Sequence, residues 1–296
     1  MSDPSPFHPG EQRMQTVAGV RARMDARGAR AIRAEMPDQH RAFFADLSFL
    51  LLAMNDARGW PAATILRGAP GFITTPDAGH MQLAVPASAF APPGAVARIG
   101  ASVGMLGIML AVRRRNRMNG IIRRLDADGV GVAVVQSFGN CDQHISRRAP
   151  PAGAVSDDPA PIEALGALDG PAREQVGRAD TMFVASAAAP DAGAGVDISH
   201  RGGPAGFLRL EGDRLTVPDY GGNLYFNTLG NFLLNPRAAV LVPDFATGAV
   251  LHLAGPVVLR QDGGGLAGAE RHWELRLEAA WRRAGALPGG WAMVAA

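Results

Sequence analysis

Between residues 11 and 35 the apolar positions Met14, Val17, Val20 and Met24 recur every three to four residues, which predicts a charged helix interrupted at Gly28. A second helix is predicted from Pro37-Asp38, with Asp38 as N-cap, to about Asp46, burying Phe43, Phe44 and Leu47. Strand patterns follow. Residues 49–54 are a continuous apolar run, 55–59 a turn and 61–66 a return strand. From 104 to 138 the pattern predicts two long strands around Asp126-Ala-Asp-Gly129, an Asp-Gly hairpin signal. Residues from 146 to about 161 are rich in proline and alanine and show no period, so they separate a unit at 1–148 from one at 162–296.

The second unit begins with a short predicted helix at 171–178, followed by strands at 181–187, 195–201, 207–210 and 214–217. A helix at about 224–235 closes at Asn235-Pro236, and strands follow at 238–244 and 249–258. Near the end, Trp273, Leu275, Leu277 and Ala279 alternate with Glu274, Arg276 and Glu278, the signature of one half-buried strand. About six strands, mostly in hairpins with a single helix, predict a mainly β (α+β) fold built on a closed or nearly closed barrel. Strands do not alternate regularly with helices, which argues against a doubly wound sheet.

The two units also match in sequence. Arg67-Gly-Ala-Pro-Gly-Phe72 resembles Arg201-Gly-Gly-Pro-Ala-Gly-Phe207, and at an offset of 201 − 67 = 134 the match runs back to Phe49 and Phe183. On this alignment Asp197, Ser199 and His200 lie over Ala63, Ile65 and Leu66. The scaffold reads as duplicated, with the first copy degenerate and the chemistry kept in the second.

Composition removes several classes of function. All 29 basic residues are arginine, so neither a Schiff-base lysine nor the lysine of a phosphate loop is available. Cys141 is the sole cysteine, which excludes an intrachain disulfide. No apolar run reaches the ~18–20 residues of a membrane span, and the N-terminus lacks the order of a signal peptide, so a cytoplasmic protein without a membrane partner is expected. The formal charge is only +2, and the cluster Arg113-Arg-Arg-Asn-Arg117 with Arg123 and Arg124 has few aromatics beside it. It reads as the solvated rim of a strand pair, and no nucleic-acid partner is expected. The histidines show no metal-ligand spacing, so no metal is expected.

Candidate chemistry concentrates in the second half, at residues 197–207, Pro218-Asp-Tyr-Gly-Gly-Asn223 and Asn227-Thr-Leu-Gly-Asn231. Glycines before a helix let backbone N–H groups approach an anion, Arg201 offers a fork of donors, and Asn223, Asn227 and Thr228 add neutral ones. This suits a phosphorylated ligand. A glycine-rich barrel turn with an asparagine-capped helix explains the same residues without one. Gly100-Ala-Ser-Val-Gly104 matches the nucleophile elbow of serine hydrolases, but the apolar run after it reads as a strand where that chemistry needs a helix.

Taken together, Ser199-His-Arg-Gly-Gly203, residues 218–223, Phe226-Asn-Thr-Leu-Gly-Asn231 with Asn235-Pro-Arg237, Arg113-Arg-Arg-Asn-Arg-Met-Asn-Gly120 and Gln136-Ser-Phe-Gly-Asn-Cys141 carry a resemblance. Over most of its length the chain resembles the flavin-binding split-barrel family related to pyridoxamine 5′-phosphate oxidase, in its bacterial flavin-nucleotide-binding branch. The resemblance implies two tandem six-stranded split β-barrels, with FMN near a module or subunit interface. It assigns cofactor contacts to Asp197, Ser199, His200, Arg201, Gly202, Gly203, Tyr220, Gly222, Asn223, Asn227, Thr228 and Asn231, and to Gln136, Ser137 and Asn140 of the first half.

His200 then becomes a candidate to orient the ring or relay a proton, and Cys141 a candidate redox thiol. A histidine bonded to its own turn and a packed small residue are the plain alternatives. The implied activity is electron transfer between reduced flavin and oxygen or a small organic acceptor, with a small-molecule substrate or a donor such as NAD(P)H. A homodimer is compatible with it. The alternative is a noncatalytic carrier or sensor that binds flavin, haem or deazaflavin. One departure matters: the vitamin-making oxidases place a lysine and several arginines around the flavin phosphate, whereas Gly221-Gly-Asn223 offers no cation. Arg201, the asparagine amides and the helix terminus must hold the phosphate, and pyridoxamine phosphate is disfavoured as substrate.

Overall fold

The N-terminal helical pattern divides at Gly19 rather than at Gly28. In the computed structural model, which describes residues 5–151, 160–188 and 195–294, α1 (Pro9–Val17) and α2 (Arg21–Ala31) are separate helices. Gly19 between them has φ +68°, a left-handed conformation that ends α1. Gly28 stays inside α2, where its missing Cβ leaves room for the Phe7 ring. His8 caps α1 in a reciprocal box with Glu11. α3 (Asp38–Ala45) buries Phe43 and Phe44 as expected, but its N-cap is Pro37 and Asp38 is its first helical residue.

The first module contains β1 (Phe49–Asn55), β2 (Pro61–Arg67), β3 (Ile73–Asp77), β4 (His80–Leu83), α4 (Ala87–Phe90), β5 (Ser102–Met109), β6 (Arg114–Asp126) and β7 (Gly129–Gly139). Asp126 and Gly129 close the β6–β7 hairpin at the predicted place. The run at 104–138 nevertheless makes three strands instead of two. A 3-10 turn at Leu110–Val112 and Arg113, at φ +50°, fold β5 back onto β6.

Beyond β8 (Arg148–Ala149), β9 (Glu163–Leu165) and α5 (Gly170–Gly177), the second module contains β10 (Thr181–Ala187), β11 (Val196–Gly202), β12 (Arg209–Glu211), β13 (Arg214–Asp219), α6 (Asn227–Leu234), β14 (Arg237–Pro243), β15 (Val250–Arg260), β16 (Arg271–Arg276), β17 (Ala279–Arg283) and β18 (Ala292–Met293). Half of the predicted connection at 146–161, residues 152–159, lies outside the described residues. The helix expected from 224 starts at Asn227, because Leu224 and Phe226 adopt φ of +63° and +61° and cannot continue a right-handed helix. The alternation at 273–279 splits into β16 and β17. Each pairs with a different half of β15, β16 from Val257 to Arg260 and β17 from Val250 to Ala254.

The two sheets share one strand order. It runs β2-β1-β5-β6-β7-β4-β3 in the first and β11-β10-β14-β15-β16-β13-β12 in the second, so the fold is mainly β with two antiparallel modules of one topology. The end strands β2 and β3 follow one another in sequence yet are not hydrogen-bonded, which leaves the barrel split. Element starts fix the equivalence: β1 to β10 differs by 181 − 49 = 132 residues and β2 to β11 by 196 − 61 = 135. Three residues are therefore added in the second hairpin connection, and the ungapped offset of 134 is one register off. Gly68 and Gly203, 135 apart, each leave space for the phenylalanine four residues on, and their N–H groups donate to Ser48 and Asp180 in the same way. Arg67 thus corresponds to Gly202, and the residue corresponding to Arg201 is Leu66.

The modules pack face to face through a third apolar cluster. Phe49, Leu51, Ile65 and Leu106 meet Phe183, Ala185, Ile198 and Leu241. β5 packs on β11 as β14 packs on β2, so an approximate twofold relates the halves. Gly104 on β5 lies so near the Val196 backbone that any Cβ would collide with it. Leu51 is fully buried in this layer, and its truncation to alanine costs about 2–5 kcal/mol.

Candidate functional site

β6 carries arginines two residues apart, and strand geometry aims Arg115 and Arg117 at the same side, toward β11 of the second module. Arg117 is 2% exposed. It donates Nη1 to Asp197 Oδ1 at 2.8 Å, and Nη2 to the Ile198 carbonyl at 3.0 Å and to Ser199 Oγ. Asp197 also accepts from Asn119 Nδ2 at 2.8 Å and Asn231 Nδ2 at 2.9 Å. Such a pair is tolerated in the interior because its remaining hydrogen-bonding capacity is largely met. It also ties the modules together.

Arg115 is paired differently. Its Nε donates to the Cys141 carbonyl at 2.6 Å and its Nη1 to His200 Nδ1 at 2.9 Å. Among the described residues no carboxylate lies within ion-pair distance of it. Burial pulls its pKa down to about 10, with the neighbouring Arg201 and Arg117 adding to the effect and Cys141 and Asp142 opposing it. A guanidinium cannot accept, so His200 Nδ1 is the acceptor and the neutral ring carries its proton on Nε2. His200 is buried, and burial together with Arg115 and Arg201 holds its pKa well below the usual histidine value. Its Nε2 is buried in the cleft wall without a hydrogen-bond partner.

On the opposite wall Asp219 accepts from Arg201 Nη1 at 2.7 Å and from Arg271 Nε at 3.2 Å. Arg201 Nε is buried and unpartnered. Arg271 lies 5.0 Å over the Phe226 ring. His144 stacks on Tyr220 at 5.1 Å and donates Nε2 to the Gly221 carbonyl at 3.2 Å, so the loop after β7 reaches the loop after β13. Leu106, Leu224 and Leu229 complete apolar parts of the wall. The cavity volume is about 110 Å³.

Of the sequence-predicted residues, Ser199, His200, Arg201, Gly202, Tyr220, Gly222, Asn223, Asn227, Thr228, Asn140 and Cys141 line this cleft. Asp197 and Asn231 sit behind it in the Arg117 network. Gly203 is not in the lining; it sits against Phe207. Gln136 accepts from Asn119 and donates to the Pro6 carbonyl, while Ser137 Oγ bonds His40 Nδ1 at 2.9 Å on the far side of β7. Asn223 does not stand at the helix start: its Oδ1 accepts from Tyr225 N and shapes the loop before α6. Sequence reasoning missed Arg115, Arg117 and Arg271 as site residues. The two-residue spacing within the arginine cluster was the available signal for the first two.

α1 packs on α6 beside the site. Asn227 Nδ2 donates to Glu11 Oε1, and His8 N donates to Glu11 Oε2 at 2.9 Å. Burial first, then nearby Asp197, pushes the Glu11 carboxyl up to about 8, so at neutral pH it stays largely protonated. Ser102 lies exposed in β5 opposite Ile121, with no strand-to-helix turn around it. Among the described residues no group of three His, Cys, Asp or Glu side chains could hold a metal, and no helix is long and apolar enough to cross a membrane.

No protein-family model matches this chain, and no curated protein does. Solved structures of low identity do. HupZ of Group A Streptococcus is 12% identical, covering 38% of this chain and 91% of its own, at a TM-score of 0.31. A FAD-binding protein from Mesorhizobium loti is 14% identical over 42% of this chain and 99% of its own, at 0.31. A candidate pyridoxamine 5′-phosphate oxidase from Lactobacillus delbrueckii is 14% identical over 40% and 98%, at 0.30.

Proposed function

We propose that the cleft between the modules binds FMN and that the protein is a flavin-dependent oxidoreductase. The observation that carries this reading is Arg115, a partly buried guanidinium at the wall of a cleft with no carboxylate partner among the described residues. A charge so placed is costly unless an anion meets it, and a phosphate monoester is the anion that the motifs resembling the split-barrel family imply. The remaining donors fit the same group. Arg201 Nε, His200 Nε2 and Asn140 Nδ2 are all buried at this cleft without partners among the described residues. Asn227 and Thr228 lie beside them at the start of α6.

Arg115 would meet the charge of the phosphate, and Arg201, already ion-paired with Asp219, would add its free Nε–H, with the neutral His200 donating from Nε2. The cavity admits the anionic end of the ligand, and the remainder must lie in its open mouth. FMN supplies the redox chemistry when bound. Cys141 and the stacked pair His144 and Tyr220 stand at that mouth, where they exclude water and bound the space for a small acceptor such as oxygen or an organic substrate. His200 is held neutral with Nδ1 occupied, so in this reading it positions the ligand. The test is a visible spectrum of the purified protein with and without added FMN, followed by turnover of NAD(P)H. Flavin bound with donor oxidation supports the enzyme, flavin bound without turnover supports a carrier, and no bound flavin refutes both.

A further inference from the structure

The approximate twofold carries the first cleft onto a second one with a different character. At the structural offset of 135 residues, Arg115 becomes Val250, Arg117 becomes His252, Asp197 becomes Ala62 and Arg201 becomes Leu66. These four charged groups are thereby replaced by neutral or apolar residues, of which His252 and Ala62 line the second cavity. A cavity remains. It has a volume of about 200 Å³ and lies between the start of β2 and strands β14, β15 and β17.

Two tryptophans and a histidine stand among its otherwise mostly small and aliphatic walls. Trp281 on β17 stands opposite His252 on β15 in the strand register, and Trp60 faces the same space. Trp60 is held between cations, with Arg58 at 4.3 Å and Arg237 at 4.4 Å from its ring centre. Trp281, partly exposed, makes no ring contact among the described residues. Arg58 is already engaged by Asp56 at 2.8–2.9 Å, and Arg237, on the Trp60 ring, does not line the cavity, so neither offers it an unpaired charge. Glu278 at the rim repels one. His252 is buried, and burial pulls its pKa down to about 4, which leaves it neutral. An engineered apolar cavity of about 150 Å³ accepts benzene, so this one has room for one or two rings.

We propose that this second cleft is a binding site for a neutral, planar aromatic molecule of one or two rings, stacked against Trp281. The site is independent of the FMN assignment, because it shares no residue with the first cleft. Aromatic side chains supply the contact area, and the His252 ring nitrogen not engaged by the Ala63 backbone supplies a polar handle.

The experiment titrates the full-length protein with naphthol, a neutral two-ring probe, and with naphthoate, its anionic counterpart, following the indole N–H resonances of the four tryptophans. Saturable shifts at Trp60 and Trp281 are expected with naphthol, with affinity for naphthoate at least about tenfold weaker. Ala254→Phe fills the cleft and should abolish the shifts. Trp281→Ala should weaken binding and serves if Ala254→Phe does not fold. The proposal is overturned by an absence of saturable binding, by shifts confined to the other tryptophans, by naphthoate binding as well as naphthol, or by unchanged binding in the folded variants.

Discussion

Arg115 of the first module donates Nη1 to Nδ1 of His200 in the second at 2.9 Å, and this hydrogen bond fixes the tautomer of a histidine that burial, Arg115 and Arg201 hold neutral. It also leaves the guanidinium at the cleft wall without a carboxylate partner among the described residues. Arg115→Met removes the cation while keeping much of the side-chain bulk. FMN affinity should fall about ten- to a hundredfold, the equivalent of a charge-assisted hydrogen bond of about 1.5–3 kcal/mol. Nitrogen NMR of His200 should show a proton on Nε2 in the parent and a mixture of tautomers in the variant. An unchanged tautomer would show that Arg115 does not set it.

Arg201 and Arg67 should respond differently to truncation. Arg201 lines the cleft beside Asp219, whereas Arg67 ends β2 at the position corresponding to Gly202. Arg201→Ala should weaken FMN binding about tenfold or more, while Arg67→Ala should leave affinity within about twofold and act on the melting temperature. Equal losses of affinity in two folded variants would contradict the asymmetry between the modules.

Glu11 makes stability depend on pH in a direction unusual for a carboxylate. Its folded pKa, about 8, lies above its ordinary value of 4.5. Its contribution is therefore fully present below 4.5 and is lost as pH rises through 8, because the unfolded chain releases the proton first. Glu11→Gln keeps an acceptor for Asn227 and removes the titration. The variant should gain up to about 5 kcal/mol over the parent above pH 8 and little in acid, as read by denaturant unfolding across pH.

Ser102 and Asn223 separate the redox reading from a hydrolase. Ser102 is an exposed strand residue, so Ser102→Ala should change neither stability nor flavin content. Asn223→Ala removes the acceptor for Tyr225 N that shapes the loop before α6, and FMN occupancy should drop. Flavin content and hydrolysis of a chromogenic ester, measured on both variants, check the pair. Serine-dependent ester hydrolysis in a flavin-free protein would reverse the assignment.

Local signals in the sequence were legible where local physics decides. The Asp126–Gly129 turn, the buried face of α3 and the β10–β11 strands follow from turn chemistry and apolar spacing. The duplication was legible too, but its register was not, since the matching Arg-Gly pairs at 67 and 201 concealed three residues added in the second hairpin connection. The helix break fell at Gly19 because Gly28 is needed as space for Phe7, a contact between residues distant in sequence. The cleft residues of 199–202 and 220–228 could be read from their polarity. Arg271 could not, and Arg115 and Arg117 only through the two-residue spacing of their cluster, because the packing of one module on the other turns surface-like arginines inward.

Binding of FMN compared with riboflavin, followed by quenching of flavin fluorescence in the unmodified protein, tests the central claim most directly. The two ligands differ only in the phosphate that Arg115 and Arg201 are assigned to hold. FMN should bind saturably at micromolar concentration, and riboflavin about ten- to a hundredfold more weakly. Equal affinity for the two, or no quenching by either, would contradict the account.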